Sequence, residues 1–189
     1  KDFTIGYFGN LRDYNMFKNL IKAILLIDEN ERPKLRIAGA GAASEEIKQL
    51  FEKYPEINCL ISGRYDHSQL KGLMDECSIQ YCLYTSKRGN IMHTIPAKLF
   101  SSIACGKKAI VNSNSLASEI CKKNEWGWSV DDTDVKGISK TILELNRKWG
   151  LLSDGENNDL FPFGTFENKI NWDSQAEKLV DAYVGLNRP

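Results

Sequence analysis

Six short, nearly continuous apolar runs, each followed by a segment with helical spacing, leave this chain few ways to fold. The runs occupy residues 3–8, 35–38, 57–61, 79–84, 108–112 and 126–130. Runs without polar alternation belong to strands buried on both faces, which calls for a parallel sheet with helices above and below. Between the first two, Met16, Phe17, Leu20, Ile21, Ile24 and Leu25 recur at helical spacing. Ser44 is placed to cap a second helix through Tyr54, with Glu45 and Glu46 where the helix dipole favours acids. Asp66 heads a third helix, residues 116–122 form a short one, and residues 131–134 start one that runs to Trp149. Residues 171–183 read as a closing amphipathic helix with Trp172, Ala176, Leu179 and Tyr183 on one face. The expected architecture is α/β, a Rossmann-like parallel sheet of about six strands with helices on both faces, in one domain spanning residues 1–189.

In such sheets ligands bind beyond the carboxyl ends of the strands, where the strand order reverses. That rule brings together the loop 9–12 after the first strand and the loop 85–96 after the fourth. Charge points to the same place. Residues 77–118 contain no Asp or Glu, whereas a chain with 25 acids in 189 residues would carry roughly five or six in such a window. The window does contain Lys87, Arg88, Lys98, Lys107 and Lys108. Pro96 opens its helix, Leu99, Phe100, Ile103 and Ala104 give that helix an apolar face, and Gly106 ends it. Lys98 then stands in the first turn, where a helix normally prefers an acid. A bound phosphate reconciles the two, because first-turn amides and an ammonium both donate to it. His93 lies in the same loop and is the candidate for proton chemistry.

Several function classes are disfavoured. A formal net charge of zero argues against a nucleic-acid binder that works by overall basicity, and no nucleic-acid partner is expected. The five cysteines lack Cys-x-x-Cys spacing and read as reduced core thiols. No apolar run approaches the length of a membrane span. Gly39-x-Gly41 followed by Ser44 is only part of a dinucleotide fingerprint and reads as a tight turn, while Asp132 and Asp134 read as a helix cap rather than a metal pair. The chain starts at Lys1 directly before a strand, as a piece of a longer protein would.

Residues 5–9, 35–41, 61–63 and 96–111, in that order and spacing, resemble the C-terminal donor-binding domain of the GT-B group 1 glycosyltransferases, and residues 171–179 resemble their closing helix. The resemblance implies a sugar transferase acting in polysaccharide or glycoconjugate biosynthesis. It implies a nucleotide-diphosphate sugar as donor, with its diphosphate at the Pro96 helix start and its base near the loop after the third strand. It further implies no metal or other cofactor, a glycan or lipid-linked acceptor, an N-terminal GT-B domain beside this one, a cytoplasmic location, peripheral at the membrane if the acceptor is a lipid, and no activity for this chain alone. The donor contacts would come from Gly9, Asn10, Arg12, Tyr65, Lys87, Arg88, Thr94, Ala97, Lys98, Leu99 and Ser101, with Tyr65 stacking on the base.

The chain also departs from the family pattern. The family's two glutamates, seven residues apart, fall on His93 and Ser101, and its first-loop Arg and Lys fall on Asn10 and Asn15. Ser101 offers the ribose only a neutral hydrogen bond, and Arg12, Lys87, Arg88 and Lys98 are left to hold the diphosphate. Two further readings fit the same residues: a degenerate GT-B domain that binds nucleotide or a partner without catalysis, and a GT-B epimerase.

Overall fold

The structure, a computed structural model, describes residues 2–87, 89–151, 176, 177, 180 and 181. Six strands form one sheet: β1 (Thr4–Phe8), β2 (Lys34–Ala38), β3 (Cys59–Ser62), β4 (Ile79–Cys82), β5 (Ala109–Asn112) and β6 (Gly127–Val130). Their order is β3-β2-β1-β4-β5-β6 and every pairing is parallel. The expected Rossmann-like sheet is therefore present. The chain winds from β1 out to β3 on one side, then returns to β4 and winds out to β6 on the other. β1 and β4 are neighbours, with Ile5 opposite Ile79 and Gly6 opposite Gln80, so the strand order reverses between them.

The connecting helices are α1 (Tyr14–Leu25), α2 (Ser44–Glu52), α3 (Leu70–Asp75), α4 (Ala97–Ala104), α5 (Leu116–Asn124) and α6 (Val135–Gly150). The periodic residues of α1, among them Phe17, Leu20, Ile21 and Ile24, are buried against the sheet; each such side chain contributes about 1.5–3 kcal/mol by leaving water. Phe8 and Ala38 form a smaller core under Leu70, Leu73 and Met74 of α3. From the edge strand β6 the chain crosses back to α1. Asn19 donates to the Asp132 carbonyl at 2.9 Å, Trp149 meets the Phe3 ring at 6.0 Å, and Arg147 pairs with Glu31 at 2.6 Å.

Local details correct three expectations. Ala43, not Ser44, stands at the cap of α2, and the Ser44 hydroxyl instead accepts from the Gly41 N–H at 2.7 Å and donates to the Gly41 carbonyl. Pro96 is the cap residue of α4 with extended ψ of 132°, one position before the first turn. Asp134 caps α6 by accepting from Gly137 N at 2.9 Å, while Asp132 is buried elsewhere. Of the expected closing helix, Ala176, Glu177, Val180 and Asp181 are helical, and its remaining residues lie outside the described set.

Candidate functional site

At the reversal point the ends of β1 and β4 leave a crevice of about 210 Å³. Tyr7, Asn10 and Arg12 line one wall; Tyr84, Asn90, Ile91, Thr94, Pro96, Ala97 and Lys98 line the other. Tyr84 ends its apolar run and Tyr7 stands one residue before the end of its own, so both lie at the carboxyl ends of their runs.

Lys98 spans the crevice. Its stem passes over Gly9, where a Cβ would be driven into the lysine Cε, and Gly9 holds φ at +136°, which a larger residue rarely adopts. The ammonium lies 3.5 Å from the centroid of the Tyr7 ring and 5.4 Å from that of Tyr84, both attractive arrangements for a cation. Lys98 is lowered from its ordinary 10.5 to about 8, chiefly because burial disfavours its charge; Cys82 and Asp13 oppose the shift and Arg12 adds to it. An anion entering the crevice would favour the charged form further.

The start of α4 supplies a second anion-attracting feature. An α-helix leaves its first amides without intrahelical partners, and here no side chain caps them and no acid stands in the first turn. Leu99 N already donates to the Pro96 carbonyl at 2.9 Å.

A second hollow of about 310 Å³ opens on the other side of Gly9, lined by Gly9, Gly39, Ala40, Arg64, Tyr65 and His67. Tyr65 packs edge-on against Phe8 at 6.3 Å, leaving the hollow with one aromatic wall. Gly39 has φ of +147°, and a Cβ there would strike the Gly9 carbonyl, so the two glycine turns touch. Gly39-x-Gly41 is thus a close-contact turn that brings the hollows together.

The remaining expected site residues occupy several positions. The Leu99 side chain is fully buried in the core. Ser101 is partly buried and its hydroxyl donates to the Ala97 carbonyl at 3.2 Å, one turn back along α4. Thr94 lines the crevice while donating to the Asn90 carbonyl at 2.9 Å. His93 and Lys87 are exposed, and neither lines the two hollows. Arg88 lies outside the described residues. Among the described residues no three His, Cys, Asp or Glu side chains come together to hold a metal, and no helix is long and apolar enough to cross a membrane.

Sequence reasoning missed the polar frame beneath the crevice. Asp13 caps α1 through Met16 N at 3.2 Å and also accepts from Thr85 N and Thr85 Oγ1 at 3.0 and 2.7 Å. Asp132 accepts from Ser86 N at 3.0 Å and from Asn112 Nδ2 at 3.2 Å. Asn112 in turn pairs with both the N–H and the carbonyl of Tyr84, at 2.9 and 2.7 Å. An Asn ending an apolar strand and an Asp before a helix were the available signals; their long-range partners were not.

The family model described as "Glycosyl transferases group 1" matches residues 1–158. Comparison with curated protein sequences gives no match. Among solved structures, a TarM variant from S. aureus in complex with fondaparinux, alpha-GlcNAc-glycerol and UDP aligns with a TM-score of 0.71 at 13% identity, covering 99% of this chain and 36% of that one. HepE of Anabaena in complex with UDP-glucose gives 0.71 at 13% identity, covering 98% of this chain and 49% of that one. The catalytic domain of cholesterol-alpha-glucosyltransferase from Helicobacter pylori gives 0.61 at 16% identity, covering 96% of this chain and 99% of that one. The chain thus spans between a third and a half of the length of the first two. These likenesses establish a shared fold.

Proposed function

The chain belongs to the group 1 glycosyl transferases, and from that premise we propose that it is the donor-binding domain of an enzyme that moves a hexosyl unit from a nucleoside diphosphate to a glycan or lipid-linked acceptor. The observation that carries this reading is Lys98, a partly buried ammonium held over Tyr7 at the uncapped start of α4, where the strand order reverses. The diphosphate lies in the Lys98 crevice, with Arg12 and the first amides of α4 as further donors. Across Gly9, the hollow beside Tyr65 takes the base.

As the donor bond breaks, negative charge builds on the diphosphate, and donors fixed in a sheltered crevice stabilise that charge more than the ground state. The acceptor and any group that acts on it come from a further domain, so this chain alone transfers no sugar. On the same reading the enzyme works in the cytoplasm, beside the membrane when its acceptor is lipid-linked. The solved complexes with UDP and UDP-glucose support a nucleotide-sugar donor by analogy of fold.

A second reading, a domain that binds nucleotide without turnover, draws support from Ser101, whose hydroxyl is spent on Ala97 instead of being directed to a ribose. One experiment addresses both. Calorimetric titration with UDP, GDP, ADP and CMP, followed by product analysis on a longer chain carrying the acceptor domain, yields saturable binding and transfer if the first reading holds. Binding without transfer selects the second, and no binding by either chain rejects both.

A further inference from the structure

Two buried carboxylates stand beneath the crevice without entering it. Asp13 and Asp132 are 3% and 8% exposed. A carboxylate withdrawn from water is tolerated only where several donors satisfy it. Asp13 has three and Asp132 has two, and their source is informative. A helix cap needs only the amide of its own first turn. Asp13 makes that bond and then takes both donors of Thr85, 72 positions away. Asp132 takes the amide of Ser86.

Asn112 completes the pattern by holding both backbone groups of Tyr84. Three consecutive residues, Tyr84, Thr85 and Ser86, are thereby fixed by polar side chains from the loops after β1 and β6 and from the end of β5. They immediately precede the part of the loop that supplies Asn90, Ile91 and Thr94 to the crevice. The segment from residue 77 to 118 has no acid of its own, so the carboxylates that anchor it come from elsewhere in the chain.

We infer that Asp13 and Asp132 are positioning residues of the donor site, clamping the backbone of residues 84–86 so that the loop after β4 and Lys98 stand in place before a ligand arrives. What is positioned rests on the donor-site reading above; the clamp itself rests on the hydrogen bonds. An ordered loop entered in advance spares the ligand the entropy of ordering it.

Asp13 also bears on Lys98. The groups facing that ammonium are Tyr7 from β1, Arg12 and Asp13 from the loop after it, Cys82 from β4 and Tyr84 just beyond it. Asp13 and Cys82 favour the charged form, and Arg12 opposes it. Neutralising Asp13 therefore moves the titration of Lys98 to lower pH, a change that loss of a helix cap alone would not make.

The test compares the chain with Asp13→Asn, Thr85→Val and Lys98→Ala variants. It follows the Lys98 side-chain carbon signal against pH, hydrogen exchange at the amides of residues 85 and 86, and calorimetric binding of UDP. Asp13→Asn is expected to move the Lys98 midpoint to lower pH and to speed exchange at both amides about tenfold. Thr85→Val, which leaves the α1 cap intact, is expected to speed exchange at the same amides with the midpoint unmoved. Unchanged exchange in Thr85→Val overturns the clamp, even if Asp13→Asn fails to fold; so does unchanged exchange at both amides in a folded Asp13→Asn. If instead the clamp variants behave as expected while Lys98→Ala binds UDP like the parent chain, the donor-site reading falls and the clamp stands.

Discussion

The Nζ of Lys98 lies 3.5 Å from the centroid of the Tyr7 ring, which joins the start of α4 to the end of β1 across the point where the strand order reverses. The Tyr7 hydroxyl donates to the Asn10 carbonyl at 2.9 Å, so the same ring also fixes the loop that forms the opposite wall. One contact thus couples both halves of the sheet to the crevice.

Removing that ammonium should weaken nucleoside diphosphate binding. A hydrogen bond to a charged group is worth about 1.5–3 kcal/mol, so Lys98→Ala is expected to lower affinity by roughly 10- to 100-fold in calorimetry. Wild-type affinity in Lys98→Ala would remove the lysine from the site.

Binding should also take up protons. Lys98 sits at about 8 in the free chain because burial disfavours its charge, and an adjacent diphosphate returns it toward 10.5. The bound value exceeds the free one, so affinity is fully expressed below about pH 8 and declines as pH rises above it. Near pH 8 the measured binding enthalpy should differ between buffers of different ionisation enthalpy. Identical enthalpies in two such buffers would contradict this.

The glycine turns bear on both packing and binding. In Gly39→Ala the new methyl group strikes the Gly9 carbonyl at a φ of +147°, and the chain is expected to lose about 2–4 kcal/mol of stability in chemical denaturation. Gly9→Ala carries similar backbone strain at φ of +136° and also presses on Lys98, so it should lose stability and, where it remains folded, nucleotide affinity in calorimetry; parent-like affinity would separate Gly9 from the site.

The alternation of apolar runs and periodic segments made the sheet and the reversal point legible, because strands covered on both faces and helices with one apolar face leave their marks locally. The crevice was legible for the same reason: it follows from strand order. Finer features were decided by geometry that sequence leaves open. The proline ring fixes φ but not ψ, so Pro96 suits a cap as well as a first turn, and here ψ is 132°. Ser44 found both of its partners on Gly41, ahead of the helix. The Leu99 side chain belongs to the apolar face of α4 and is fully buried, while its N–H donates to the Pro96 carbonyl. Asp13 and Asp132 escaped notice as anchors because their partners are remote in sequence, and no local pattern announces a bond from residue 132 to residue 86.

The frame beneath the crevice should be costly to break. Asn112→Ala leaves the N–H and carbonyl of buried Tyr84 without their side-chain partner, and about 2–4 kcal/mol of destabilisation is expected from two unsatisfied buried groups. Thermal unfolding measures it, and a shift within error would show that water replaces the amide.

His93 is exposed and stands apart from both hollows. His93→Ala should therefore bind nucleoside diphosphate like the parent chain, and any effect should appear only as slower transfer in a longer enzyme. Weakened nucleotide binding would place His93 at the donor.

Amide NMR of this chain during titration with UDP tests the central claim most directly. The account predicts saturable shifts concentrated at Gly9, Asn10 and Arg12, at Ala97 and Lys98, and around Tyr65, with the response at these positions lost or strongly weakened in Lys98→Ala. Saturable shifts confined to other surfaces, or an unchanged response in Lys98→Ala, would contradict it.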